Sequence, residues 1–79
     1  MAGQMNSLIS SPQGLGNVLA RTRKALAMTQ AEVAEKADLR QATVSKVENG
    51  DQGVRLETVL ALLDANDLEL VVRPREGAA

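Results

Sequence analysis

Residues 29–50 read TQAEVAEKADLRQATVSKVENG, and this stretch decides the fold. Thr29 opens it as an N-cap, with Glu32 three positions on. That is a capping box, in which each side chain satisfies the other residue's free backbone N–H. Val33, Ala34 and Ala37 then fall on one side of a short helix that ends near Ala37. Asp38 and Leu39 form a turn. A second helix is expected from about Arg40 to Glu48 or Asn49, stopped by Asn49 and Gly50, with glycine suited to the left-handed position after a helix. Val44 and Val47 are its inward pair, and Gln41, Ala42 and Ser45 share its outward face. Two short helices joined this way can present the second to the major groove of DNA. Their close crossing needs a small residue, supplied by Ala34, and the turn needs an apolar anchor, supplied by Leu39.

The flanking sequence completes an all-α domain. Ser11 and Pro12 form a helix start, serine as N-cap and proline at the first helical position. Leu15, Val18, Leu19, Thr22 and Leu26 continue at helical spacing, so a first helix is expected over about Pro12 to Ala27. Met28 reads as a packing residue at the junction. After a loop at Asp51, Gln52 and Gly53, a helix is expected over about Leu56 to Ala65. Its Leu56, Val59, Leu60, Leu62 and Leu63 are apolar nearly all round. That is more than one partner helix needs, and the surplus points to contact with a second subunit. The period then changes to two. Leu68 to Arg73 reads as a strand with Leu68, Leu70 and Val72 on one face, ended by Pro74. A lone strand leaves its backbone unpaired, so it must pair with its own copy in a second subunit, pair with another protein, or not form; pairing across a homodimer is the expectation. The expected organisation is a tail over 1–10, a helix-turn-helix domain of four to five helices over 11–66, a dimerisation strand over 67–74 and a tail over 75–79.

Composition narrows the function. A chain of 79 residues makes one domain, which buries too little surface to be more than marginally stable alone. There is no cysteine and no histidine, so neither disulfide nor zinc is expected to add stability, and oligomerisation is the remaining route. No cofactor or metal is expected. No apolar run reaches the roughly 20 residues of a membrane span, and Met1 to Ser11 lacks the basic start and apolar core of a signal peptide. A cytoplasmic, nucleoid-associated location is the expectation. The net charge is -1, but it is unevenly spread. Up to Gly50, Arg21, Arg23, Lys24, Lys36, Arg40 and Lys46 outnumber Glu32, Glu35, Asp38 and Glu48; from Asp51 onward acids prevail. The basic half coincides with the two-helix unit. No aromatic residue is present, which disfavours single-stranded nucleic acid, held by stacking bases on rings, and favours duplex DNA.

The segment resembles the phage-repressor-like helix-turn-helix family. The marks are Thr29-Gln30 opening a helix, the small Ala34, and the closing Glu48-Asn49-Gly50. Within that family the chain from about Ser11 to Arg73 is similar to the HipB-type antitoxins, through Ser11-Pro12, Arg40-Gln41-Ala42-Thr43-Val44-Ser45 and Leu68-Glu69-Leu70. The resemblance implies that Arg40, Gln41, Ala42 and Ser45 face base edges, and the chemistry agrees. Arginine grips guanine with two bonds, glutamine does so with adenine, and a methyl group meets the methyl of thymine. It implies that Thr29, Gln30, Thr43, Lys46 and Asn49 bind phosphates, and that Arg23 and Glu48 form a structural ion pair. It further implies a homodimer on a palindromic double-stranded operator, repression of its own operon, and restraint of a HipA-like serine/threonine kinase toxin. One departure is visible: a turn position often occupied by glycine is Asp38 here, which tolerates the left-handed conformation at some cost.

Plainer readings exist for each residue. A capping box occurs in any helical protein, and Arg40 or Lys46 outside such a motif would be solvated surface cations. Two rival functions also stand: a stand-alone repressor without a toxin partner, and a protein-interaction module without DNA binding, for which the net acidic charge is the support. An enzyme is not expected, since no carboxylates sit in a catalytic context and no phosphate-binding loop is present.

Overall fold

The structure is a computed structural model and describes residues 6–77. Residues 1–5 of the expected N-terminal tail and residues 78–79 of the expected C-terminal tail lie outside the described residues. Among the described residues there are four helices: α1 (Pro12–Ala25), α2 (Gln30–Ala37), α3 (Gln41–Glu48) and α4 (Leu56–Ala65). Ser11 caps α1, its Oγ accepting from the Gly14 N–H at 3.0 Å, with Pro12 in the first turn. The second helix opens on the full capping box. Thr29 Oγ1 accepts from the Glu32 N–H at 3.1 Å, and Glu32 Oε1 accepts from the Thr29 N–H at 2.8 Å.

The four helices end by one device. In each, a residue just past the end has positive φ: Ala27 (58°), Asp38 (57°), Gly50 (85°) and Asp67 (57°). The following N–H then reaches back five residues: Met28 to the Arg23 carbonyl at 3.0 Å, Leu39 to Ala34 at 2.9 Å, Asp51 to Lys46 at 3.0 Å, and Leu68 to Leu63 at 2.8 Å. These are Schellman-type ends, which satisfy carbonyls that the helix leaves open. Only one of the four uses glycine, so three carry the steric cost of a Cβ in the left-handed region, about 1–2 kcal/mol each. The expected first helix therefore stops short of Ala27, because Ala27 is where the chain reverses hand.

The core is small and central. Leu19, Val33, Ala34, Val44, Val47, Leu62, Leu63 and Ala65 are buried, with Leu15, Met28, Ala37, Leu39, Val54, Val59 and Leu68 packed around them. All four helices contribute, and α3 lies between α1 and α2 while α4 packs on α2. The closest approach runs through Gly16. A Cβ there would stand 2.5 Å from the Val47 carbonyl oxygen and 2.6 Å from that of Glu48, so α1 sits against the backbone of the end of α3. Asn66 is also buried, at 2% exposure. Its Nδ2 donates to the Leu62 carbonyl at 2.8 Å, and its Oδ1 has no partner among the described residues.

The C-terminal strand is not formed within the single chain. Leu68 to Arg73 takes no regular secondary structure in the single chain. A ladder needs a second strand, and there is none among the described residues. Leu68 instead turns onto the core, so Leu68, Leu70 and Val72 do not act alike; Leu70 and Val72 are 59% and 92% exposed. Leu56 and Leu60, one turn apart on α4, are exposed as well, at 65% and 44%. Leu26 departs from the expected buried stripe of α1 and is 42% exposed.

Three substitutions test this packing and its helix ends. Gly16→Ala is expected to cost about 1–3 kcal/mol by overpacking α1 against α3. Gly14→Ala meets only Ser11 Oγ at 3.4 Å and is the matched control, expected to be neutral or slightly stabilising. Ala27→Gly is expected to stabilise by about 0.5–1 kcal/mol through relief of the left-handed strain. Urea midpoints at constant slope read all three.

Candidate DNA interface

The outward face of α3 follows from its period. Val44 and Val47 are buried, which turns Gln41, Ala42, Ser45 and Asn49 to the opposite side. Gln41, Ala42, Lys46 and Asn49 are exposed; Thr43 and Ser45 are half-buried. Arg40 stands at the N-cap, exposed, with extended backbone and no side-chain cap bond of its own. The open N-terminus of α3 and the Arg40 side chain thus lie together, ahead of Gln41 and Ala42. Along the face, Asn49 Nδ2 approaches Ser45 Oγ at 3.4 Å, a long contact. The presented chemistry is two amides, a hydroxyl, a methyl and two cations, which suits base edges and phosphates of a duplex.

A second open N-terminus belongs to α2. Four N–H groups at a helix start lack intrahelical partners. The capping box takes up those of Thr29 and Glu32, leaving those of Gln30 and Ala31. This is an anion-favouring place by both its free donors and its dipole. Thr29 is exposed; its hydroxyl oxygen accepts in the cap and its O–H is left to donate, while Gln30 is half-buried.

What ties the start of α2 to α1 and to the end of α3 is a polar cluster. Arg23 Nε donates to Glu48 Oε2 at 2.7 Å and Nη2 donates to Glu48 Oε1 at 3.1 Å, a two-pronged ion pair across α1 and α3. Arg23 Nη1 donates to the Met28 carbonyl at 2.8 Å, in the turn that leads into α2. Gln30 Nε2 donates to Glu48 Oε1 at 2.9 Å, adding α2. The two charged side chains are only 12% and 7% exposed. Burial alone would raise the Glu48 pKa, but hydrogen bonds from Arg23 and Gln30, with the charges of Arg23 and Lys24, outweigh it and hold the carboxyl below the usual glutamate range. The Gln30–Glu48 bond, Gly16 and Asn66 escape a reading of the sequence. Only Gly16 leaves a local signal, a glycine inside a helical pattern with no turn to explain it.

The sign of the acid dependence follows. A carboxylate whose folded pKa is depressed contributes stability above its unfolded value, about 4.3, and loses it as pH falls through the folded value. Glu48→Gln is expected to destabilise by about 2–3 kcal/mol at pH 7, since Arg23 loses its counter-charge. Stability curves from pH 7 to pH 2 should converge for wild type and Glu48→Gln at the acid end; parallel curves would remove Glu48 as the group responsible.

Among the described residues no helix is long and apolar enough to cross a membrane, and no group of three acidic, histidine or cysteine side chains is placed to hold a metal. The helix-turn-helix family profile matches residues 19–72, which contain the second half of α1 and all of α2, α3 and α4. Antitoxin HipB of Escherichia coli (strain K12) is 31% identical over 71 residues, covering 90% of this chain and 81% of the relative. A solved complex of a HipB variant with an O2 20mer superposes with a TM-score of 0.82 at 31% identity, over 89% of this chain and 97% of that one. A solved HipA-HipB-O2-O3 complex gives 0.81 at 30% identity, over 87% of this chain and 97% of that one. With the fold, the open face of α3 and these likenesses in agreement, the chain belongs to the helix-turn-helix family and, within it, to the HipB antitoxins.

Proposed function

We propose that this chain is a sequence-specific DNA-binding repressor and the antitoxin of a HipBA-like toxin–antitoxin operon. It acts as a homodimer on a palindromic operator in the cytoplasm, associated with the nucleoid. It represses its own operon and restrains a HipA-like serine/threonine kinase toxin. Its role is binding rather than catalysis. The observation that carries this reading is the exposed face of α3. Gln41, Ala42 and Ser45 stand opposite the buried Val44 and Val47, with Arg40 at the open helix start. The solved HipB complexes, one containing HipA, support the choice of partners.

In this reading Arg40, Gln41, Ala42 and Ser45 contact base edges. Thr29, Gln30, Thr43, Lys46 and Asn49 contact phosphates, Thr29 through its hydroxyl, whose O–H is left to donate while its oxygen accepts in the cap and its backbone N–H is taken by Glu32. A net charge of -1 does not oppose DNA binding, because the basic residues gather in the first fifty positions. The exposed Leu56 and Leu60 of α4, with Leu70, Val71 and Val72, form the second subunit's contact. Two copies of Leu68 to Arg73 pair there as a ladder, supplying the backbone partners that one chain lacks. The two recognition helices then meet successive major grooves on one side of the duplex, as the two-fold axis requires.

The test is titration of a duplex carrying the DNA upstream of its own gene against a scrambled duplex, at two salt concentrations. Selective binding that weakens with salt is expected, and equal or absent binding to both would overturn autoregulation. Arg40→Ala and Gln41→Ala should each cost about 1–3 kcal/mol and relax base preference. Specific binding that survives both unchanged would remove α3 as the reading helix. Leu70→Lys with Val72→Lys should lower the mass seen by light scattering at micromolar concentration from dimer toward monomer. An unchanged dimer would leave α4 as the whole interface.

A further inference from the structure

We propose that Glu48, which reaches no DNA itself, is a positioning residue for DNA binding: it sets the Gln30 side-chain amide with its nitrogen fixed and one N–H left to donate to a backbone phosphate. This rests on the DNA-binding reading of α2 and α3 given above.

The geometry is specific. Gln30 is the first residue of α2, half-buried, 18 positions from Glu48 in sequence. Its Nε2 lies 2.9 Å from Glu48 Oε1. An ionised carboxylate only accepts, so the amide edge facing Glu48 has to be the NH2 edge. One of its two N–H groups is used there. Among the described residues no acceptor takes the other, and the backbone N–H groups of Gln30 and Ala31 are open as well. The first two residues of α2 therefore hold three donors with no partner, the set a phosphate oxygen would take. Without the charge at position 48, the amide is free to turn its carbonyl oxygen toward the phosphate, where two acceptors would meet and repel.

The carboxylate is itself held. The Arg23 fork grips both its oxygens at 2.7 and 3.1 Å, and the same guanidinium holds the Met28 carbonyl at 2.8 Å, ahead of α2. Arg23 thus fixes Glu48, and Glu48 fixes Gln30. The ion pair joins α1 to α3 and also selects which atom of α2 faces the phosphate. A purely structural ion pair would do the first and not the second.

A double-mutant cycle separates the two roles. Wild type, Gln30→Ala, Glu48→Gln and the double variant are titrated with the duplex carrying the DNA upstream of the gene, at pH 7 and fixed salt. Circular dichroism confirms that each is folded under those conditions. Gln30→Ala is expected to weaken binding about 10-fold, the loss of a hydrogen bond to a charged group. Glu48→Gln is expected to weaken it about 3- to 10-fold in the wild-type background and not at all in the Gln30→Ala background, because coupled residues lose one shared contribution once. Glu48→Asp serves as the second variant: it keeps the charge opposite Arg23 but draws back from Gln30, and it should show the same dependence on Gln30. Equal fold-losses from Glu48→Gln in both backgrounds would overturn the proposal, as would full affinity in Gln30→Ala. Wild type that fails to distinguish the upstream duplex from a scrambled one would instead remove the DNA-binding reading on which the proposal rests.

Discussion

The Glu48 carboxylate receives Arg23 from α1 and Gln30 from α2 while standing on the last turn of α3, nearly closed to solvent. An ion taken out of water is costly unless its oxygens are filled. Here three donor atoms fill both oxygens, and the same arginine is anchored in turn on the Met28 carbonyl. The three helices of the reading unit are thereby fixed by one group. Apolar packing of Val33, Val44, Val47 and Leu19 could tolerate small slides of one helix on another; a two-pronged ion pair tolerates few. Such a device is worth its desolvation cost in a domain of this size, whose core is too small to hold orientation alone.

Backbone contacts complete the constraint. Gly16 lets α1 rest on the Val47 and Glu48 carbonyl groups at the end of α3, the same turn that carries the carboxylate. The Schellman-type end after Glu48 closes that turn with Asn49 and Gly50, so the position of Glu48 is determined from both sides. The αL residue Asp38 does the same for the α2–α3 turn, at the cost a glycine would have spared. Rigidity at these points is what a groove-reading helix requires, because a side chain displaced by an ångström no longer meets its base edge.

Much of this was legible along the chain, for local reasons. Helix starts are written in side chains that cap their own backbone, so Ser11 and Thr29 mark α1 and α2 correctly. Helical period alone sets which side of α3 is buried, so the exposure of Gln41 and Ala42 follows from Val44 and Val47. The end of α1 is not legible because nothing in Ala27 announces positive φ; alanine ordinarily extends a helix. The C-terminal strand is a relation between two segments, and one chain holds only one of them. Asn66 reads as a loop residue, yet it is buried because its amide folds back onto its own helix. The Gln30–Glu48 bond joins positions 18 apart, and no local pattern encodes such a meeting.

The central claim is that α3, held by this cluster, is the surface that meets duplex DNA. An NMR titration of the isotope-labelled protein with its upstream duplex addresses it residue by residue. The account predicts the largest amide shifts over Arg40 to Lys46 and at Gln30 and Ala31, with Leu62 and Leu63 of α4 unmoved. Shifts concentrated on α4 and Leu70 to Val72, with α3 silent, would contradict it.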